Sequence, residues 1–189
     1  MSDNGRLLTD GVLTGVRAGT WRIDPMHTAV TFSVRHLMSK VRGRFNDVDG
    51  QVRIGESPRT WSVEASIAMA SVDTGTPMRD EDLRSANFFD VARFPSMRFV
   101  STEVTEHTSG FRVVGDLTIR DITQQVRIEG EFLGVDESGL QGEPRIGLSG
   151  RTTVRRSAFG VGESSVQGNK VVIGDAVTIE LDVEAFLES

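Results

Sequence analysis

Few side chains in this sequence could carry acid–base or metal chemistry. The chain contains three histidines, His27, His36 and His107, and no cysteine. The lack of cysteine excludes thiolate nucleophiles, disulfides, iron–sulfur clusters and cysteine-ligated zinc. No H-E-x-x-H, G-x-S-x-G or P-loop motif is present. His27 and His36 would face opposite sides of one uninterrupted strand, so we expect no metal centre and no cofactor.

His36 and the pair Arg79-Asp80 each allow two interpretations. His36 shares a face with apolar neighbours, where an imidazole needs a partner. It is either a hydrogen-bonded residue at the rim of a barrel or a contact to the polar head of a ligand. Arg79 and Asp80 are either solvated charges at a helix start or part of an anion site. A small barrel enzyme with His36 or His27 as general base and Arg79 as anion clamp is the alternative function.

Basic residues are concentrated in two segments of an acidic chain, which carries 21 Lys and Arg against 27 Asp and Glu. Residues 35–53 hold five basic side chains, and residues 145–156 hold four arginines and no acid. These are either solvated strand faces or the rim of an opening for a diphosphate or carboxylate. Arg151, Arg155 and His27 are therefore further head-group candidates. The net charge of -6 argues against nucleic acid as a partner.

Strict alternation of apolar and polar residues runs from Trp21 almost to the end of the chain. This period of two predicts about nine strands with one buried face each, and we expect the runs at 30–36 and 48–54 to pair with each other. The side chains expected to line the interior are Val30, Phe32, Val34, His36, Phe45, Ala65, Ile67, Met69, Phe99, Leu117, Ile119, Ile128 and Phe132.

One segment interrupts the strand pattern. Thr76 is a suitable helix N-cap, Pro77 suits the first turn, and three acids follow at 80–82 near the positive end of the helix dipole. Pro95 prevents further helix. Antiparallel strands with one helical insert and no βαβ pattern favour a closed barrel, because closure removes exposed edges.

The length of 189 residues suits one domain. No apolar run approaches the ~18 residues of a membrane span, and no signal peptide is recognisable at the start. We therefore expect a cytoplasmic protein without a membrane span. Residues 1–18 precede the alternation, so we expect a flexible, dispensable tail or at most an extra covering segment, followed by a single domain over 19–189.

Several motifs together resemble one known family. The segments that carry the resemblance are Trp21-Arg22-Ile23-Asp24-Pro25-Met26-His27-Thr28, Phe32-Ser33-Val34-Arg35-His36-Leu37, Gly43-Arg44-Phe45, Arg79-Asp80, Leu83-Arg84-Ser85, Phe88-Phe89-Asp90, Phe94-Pro95, Gly115-Asp116-Leu117-Thr118-Ile119 and Arg156-Ser157-Ala158-Phe159-Gly160. Over about Gly19 to Leu187 the chain resembles the YceI-like family of polyisoprenoid-binding proteins with a lipocalin-like fold. Two departures are Arg120-Asp121, where the family usually has Gly, and Gln124-Gln125, where it has a basic-Pro pair.

The resemblance implies an all-β protein: an extended antiparallel lipocalin-like β-barrel with a short helical insert, often a homodimer. It implies a lumen that holds a polyisoprenoid, prenyl diphosphate, quinone-like lipid or other long-chain amphiphile for storage, transport or sequestration, and no catalytic activity. Besides the enzyme alternative, a purely structural barrel with a filled core stays open at this stage.

Overall fold

A computed structural model of the protein describes residues 6–139, 142–162, 166–167 and 170–188. Strands dominate these residues. The strands are β1 (Gly19–Ile23), β2 (Ala29–His36), β3 (Ser39–Phe45), β4 (Val48–Ile54), β5 (Ser62–Ala68), β6 (Val72–Asp73), β7 (Ser96–His107), β8 (Gly110–Ile119), β9 (Ile122–Asp136), β10 (Arg145–Arg155), β11 (Val166–Gln167), β12 (Lys170–Val171) and β13 (Ile173–Leu187). The helices are α1 (Pro77–Arg84) and three 3-10 turns at Pro58–Thr60, Met69–Ser71 and Arg156–Phe159.

The sheet closes on itself. Its order is β1-β4-β5-β7-β8-β9-β10-β13, and β13 pairs again with β1. All the pairings of this ring are antiparallel. The predicted all-β, closed antiparallel barrel with a short helical insert is therefore confirmed.

β13 connects the two ends of the barrel. Its residues 173–182 pair with β2, and its residues 185–187 pair with β1. β1 and β2 are thus two parts of one wall, separated by the short break at 24–28. We call the end at His36 and Ile173 the mouth and the end at Trp21 and Leu187 the floor.

The predicted pairing of the runs at 30–36 and 48–54 is wrong. β2 pairs with β3, whereas β4 pairs with β1 and β5. The apolar alternation did not predict β3, because Gly43 occupies an inward position and the outward positions carry Lys40, Arg42 and Arg44. A strand with a glycine on its inner face gives a weak period-2 signal.

Helix α1 begins where the sequence predicts, with Thr76 as N-cap and Pro77 in the first turn. Asp80 is buried, and its Oδ1 accepts hydrogen bonds from Thr74 N at 2.9 Å and Thr74 Oγ1 at 2.6 Å. Asp80 therefore fastens the turn before the helix, and Leu83 packs against the main core. Within the described residues no helix is long and apolar enough to cross a membrane.

Residues 6–18, which we call the covering segment, close the floor. Leu13 and Val16 are buried in a cluster with Trp21, Ile54 and Ile146. Trp21 Nε1 donates to the carbonyl of residue 17 at 3.0 Å, which ties the segment to β1. For residues 6–18 the structure thus contradicts the flexible tail and fits the other expectation, an extra covering segment, because Leu13 and Val16 contact the barrel. Residues 1–5 lie outside the described part of the chain.

Leu13→Ala should lower the free energy of unfolding by about 2–5 kcal/mol, because it leaves a cavity in the packed floor. Leu7→Ala is the matched control, since Leu7 is 48% exposed, and it should change that free energy by less than about 0.5 kcal/mol. Urea denaturation measures both. Equal, small effects would contradict the packing of the covering segment.

Candidate functional site

Two apolar cavities lie in line inside the barrel. The mouth cavity, of about 250 Å³, lies between the ends of β2 and β3, helix α1 and the chain near 161 and 173. The inner cavity, of about 140 Å³, lies deeper, towards the floor. Both are lined by Val30, Met97 and Ile179, so they adjoin. Together they fall within the lower part of the range of ligand sites, about 300–1,000 Å³.

Most side chains predicted to face the interior line one of these cavities. In the mouth cavity they are Val30, Phe32, Val34, His36, Phe45 and Ile119. In the inner cavity they are Val30, Ala65, Ile67, Phe99, Leu117 and Ile128. Whether these side chains contact a ligand stays a prediction.

Two members of the predicted set lie elsewhere. Met69 lies in the 3-10 turn after β5 and is fully buried in the core. Phe132 packs against the floor cluster, beyond the inner cavity. In both cases the side chain contributes to packing, Met69 from the turn and Phe132 against the cluster at the floor.

Two glycines keep the aromatic rings close to the barrel wall. Gly43 is the direct neighbour of Phe32 across β2 and β3, and a Cβ at Gly43 would lie 2.5 Å from Phe32 Cζ. Gly130 stands in the same relation to Phe111 across β8 and β9. Each ring thus occupies the volume that a side chain on the next strand would need, and the lumen stays open beyond it.

Arg79 is the predicted head-group candidate that the structure brings to the mouth cavity. Its Nε donates to Thr74 Oγ1 at 2.8 Å, and its Nη2 donates to Thr74 O and Thr76 Oγ1, both at 3.0 Å. These bonds fix the plane of the half-buried guanidinium. Among the described residues Nη1 has no hydrogen-bond acceptor. Asp80, by contrast, is engaged by Thr74 and is not among the residues that line the cavity, and its assignment as a head-group contact stays a prediction.

Arg151 and Arg155 lie outside the mouth cavity, and their assignment as head-group contacts stays a prediction. Alternation along β10 turns Val154 inward, and both arginines are exposed on the outer surface. Arg151 Nη1 lies 3.5 Å from Glu180 Oε1 on that outer face. Clustering of charge along the sequence carried no information about which face each arginine occupies.

Sequence reasoning missed Arg156, which lines the mouth cavity. Its guanidinium donates to the carbonyls of Gly174 at 2.9 Å, Val161 at 2.8 Å and Ile173 at 3.1 Å. These bonds hold together the chain segments that border the mouth. The signal was present in the Arg-x-x-Phe-Gly motif, whose Phe159 is buried in the same wall.

Phe88 and Phe89 were also missed as lining residues of the mouth cavity. The ring of Phe89 lies 6.0 Å from that of Phe45. Both follow the end of α1, where no strand pattern marks an inward face. The Phe-Phe-Asp motif was their only sequence signal.

His27 belongs to a polar cluster at the break between β1 and β2, outside both cavities. Asp24 Oδ2 lies 2.8 Å from His27 Nδ1 and accepts a 2.7 Å bond from Arg145 Nη1. Arg145 also donates to Glu184 Oε1 at 2.6 Å and to Glu143 Oε1 at 2.7 Å. Asp24, His27 and Glu184 lie close enough to share a metal ion, and Arg145 Nη1 already donates to both carboxylates of this group. The cluster is an ion network, and His27 lines neither cavity, so its assignment as a head-group candidate stays a prediction.

The pKa of Asp24 reflects this network. Burial raises it, but the hydrogen bonds from Arg145, His27 and the Met26 N–H outweigh burial and lower the pKa to about 2. The three carboxylates around Arg145 in turn raise the pKa of its guanidinium. Asp24 and Arg145 therefore stay charged at neutral pH.

The histidines differ in what acid–base chemistry their surroundings support. His36 lines the mouth cavity with Arg79, yet its ring has no carboxylate partner among the described residues to fix its tautomer. His27 has such a partner in Asp24 but lies at the other end of β2. His107 is on the outer surface, 3.7 Å from Glu129. The alternative of a general base paired with Arg79 thus has only His36 in place.

Comparisons with known proteins agree with this architecture. A family model described as the YceI-like domain matches residues 21–185. A UPF0312 protein of Staphylococcus aureus strain USA300 is 32% identical over 164 residues, which cover 85% of this chain and 94% of that protein. Two solved structures share the fold. Burkholderia cenocepacia BcnA has a TM-score of 0.73 and 23% identity, over 86% of this chain and 98% of BcnA. A polyisoprenoid binding domain from Saccharophagus degradans has a TM-score of 0.64 and 13% identity, over 89% of this chain and 98% of that domain.

Asp24 should make the protein sensitive to acid. Its pKa is about 2 in the fold against an ordinary 3.8, so its contribution is complete above pH ~4 and is lost as the pH falls towards 2, a loss on the order of 2 kcal/mol. Asp24→Asn should remove this part of the pH dependence, whereas exposed Asp47→Asn should not. Denaturant unfolding at a series of acidic pH values measures the slope. An unchanged slope in Asp24→Asn would contradict the assignment.

Proposed function

The chain belongs to the YceI-like domain family, and from this premise we propose that it binds one long-chain amphiphile in its barrel, for storage, transport or sequestration. The ligand we propose is a polyisoprenoid, a prenyl diphosphate or a quinone-like lipid. The barrel acts as a binding module in this proposal and catalyses no reaction. We further propose a cytoplasmic location and a homodimer, as the family resemblance and the sequence predict.

The observation that carries the proposal is the arrangement of two apolar cavities in line within a closed barrel. The inner cavity is lined almost wholly by aliphatic and aromatic side chains, whereas the mouth cavity adds His36, Arg79, Asp82 and Arg156. Asp82 is exposed although it lines this cavity, so the polar end faces solvent. A molecule with an apolar chain and a polar head matches this division.

The length of the ligand should set its affinity. At roughly 0.3 kcal/mol per heavy atom, each five-carbon isoprene unit contributes about 1.5 kcal/mol. Units that fill the mouth and inner cavities in succession add such increments, whereas the head group makes a few polar contacts at the rim. A short prenyl alcohol would then bind weakly, and a chain that reaches the inner cavity would bind tightly.

The comparisons support the class of ligand. The Saccharophagus degradans domain, which shares this fold, is described as a polyisoprenoid binding domain. A filled structural barrel fits less well, because the two cavities remain beside a core that is otherwise packed. The polar head would meet Arg79 first, since its fixed guanidinium borders the mouth cavity.

Native mass spectrometry of the purified protein tests the proposal directly. A co-purified lipid, or stoichiometric capture of an added prenol or prenyl diphosphate, is the expected result. Failure to capture any prenol, prenyl diphosphate, quinone or fatty acid would overturn it.

Ile67→Trp should separate an open lumen from a filled core. Ile67 lines the inner cavity, so the added bulk should abolish capture of long prenyl chains while short ones still bind. Ser66→Trp is the matched control on the same strand, because Ser66 is exposed on the outer face. Capture is measured against chain length, together with thermal stability. A loss of about 1–3 kcal/mol of stability with unchanged capture would indicate a filled core instead.

Arg79→Gln should weaken the binding of prenyl diphosphates more than the binding of prenols of equal length. Loss of a hydrogen bond to a charged group costs about 1.5–3 kcal/mol, or about 10- to 100-fold in Kd. Any structural effect of the substitution through Thr74 should lower the affinity for both ligand classes alike. The ratio of the two Kd values therefore isolates the head-group contact. Arg155→Gln, on the outer surface, should leave the ratio unchanged. A constant ratio in Arg79→Gln would remove Arg79 from the head-group site.

A further inference from the structure

The turn between β2 and β3 exposes two large apolar side chains at the mouth. β2 ends at His36 and β3 begins at Ser39, so Leu37 and Met38 alone form the turn. Leu37 is 53% and Met38 98% exposed. His36 and Val41 on either side line the mouth cavity. We call Leu37 and Met38 the mouth tip.

The residues of this tip are not the ones that the turn itself favours. Leu37 has a φ of 49°, in the left-handed region that costs free energy for a bulky side chain. Two-residue hairpin turns with positive φ at the first position prefer glycine there and a polar residue after it. The tip thus lacks the residues that this turn prefers, and neither of its side chains is buried. Together these two features indicate a contact with something outside the chain.

Cations flank the tip on the outer face of the sheet. Arg35 precedes it, and Lys40 and Arg42 follow it, all exposed. Arg35 and Lys40 are direct cross-strand neighbours. None of these three, which we call the basic flank, has an acidic partner within ion-pair distance in the described part of the chain.

Acidic groups near the flank are mostly engaged. Asp73 lies 3.5 Å from Arg44, and Glu180 lies 3.5 Å from Arg151. On the other side of the mouth, α1 contributes the exposed acids Glu81 and Asp82. The chain as a whole carries a net charge of -6, so the positive flank makes the molecule strongly asymmetric and would orient it towards an anionic surface.

We propose that the mouth tip inserts into the interface of an anionic lipid bilayer while the basic flank contacts the lipid head groups. Apolar tips ringed by Lys and Arg combine the two interactions that hold peripheral proteins on such surfaces. Docking in this orientation places the mouth cavity against the bilayer. A role of docking in lipid transfer rests on the proposed function. The docking itself does not.

A bilayer fits these features better than a protein partner. Leu37 and Met38 form the exposed tip of a two-residue turn, and a small protruding apolar pair suits a deformable surface. The cations of the basic flank suit the diffuse negative charge of a lipid surface. A protein partner would instead present carboxylates in a fixed geometry.

Vesicle co-sedimentation of the 189-residue chain tests the proposal. The protein should bind phosphatidylglycerol-containing vesicles, bind phosphatidylcholine vesicles weakly, and lose binding at high salt. Replacement of Arg35, Lys40 and Arg42 by Gln should weaken binding about fivefold per charge, on the order of 100-fold in all. Replacement of Arg53, Arg59 and Arg127 by Gln is the matched control. These arginines are exposed away from the mouth tip, so vesicle binding should change little.

A second variant tests the tip without risk to the fold. Leu37→Gly with Met38→Asn installs the preferred turn residues, so thermal stability should be kept or raised, while vesicle binding should fall about tenfold or more. Capture of a detergent-dispersed prenol should be unchanged, but extraction of the same prenol from vesicles should slow.

The outcomes separate this inference from the proposed function. Vesicle binding that is equal on neutral and anionic lipid, or unchanged in the tip variant, would overturn docking even if the lumen captures prenols. Docking without capture of any lipid would overturn the proposed function and leave docking in place. A tip-dependent dimer in solution that does not bind vesicles would make a second copy the occupant and would also overturn the proposal.

Discussion

Closure of the sheet through β13 is the constraint on which the rest of the structure depends. This strand pairs with β10 along one side and with β2 and then β1 along the other. Once the ring is closed, each residue of a wall strand points either into the lumen or to the outside. The cavities, the outer basic flank and the buried floor are all consequences of that division.

The same division explains which features the sequence could predict. Ile67 and Leu117 were placed correctly because a period of two offers only two orientations, and apolar residues take the inner one. Arg151 and Arg155 were not placed in this way, because their clustering along the chain, and not their parity with Val154, suggested a shared site. The start of α1 was predictable from Thr76 and Pro77, whose effects are local.

Features that depend on contacts between distant segments could not be predicted in this way. The network around Arg145 joins Asp24 with Glu184, and no local pattern signals such a meeting. Leu13 and Val16 in the covering segment likewise lack periodicity, and their burial follows only from the apolar floor that β1, β4 and β10 present. Their absence from the strand pattern made an ordered segment resemble a tail.

The covering segment also gives the lumen a direction. Leu13 and Val16 pack against the floor, so the described part of the covering segment covers this end of the lumen. Under the proposed function, an amphiphile would enter at the mouth with its apolar terminus leading and leave at the same end. Its polar head would then stay at the mouth, in contact with solvent, while its apolar chain lies inside the barrel.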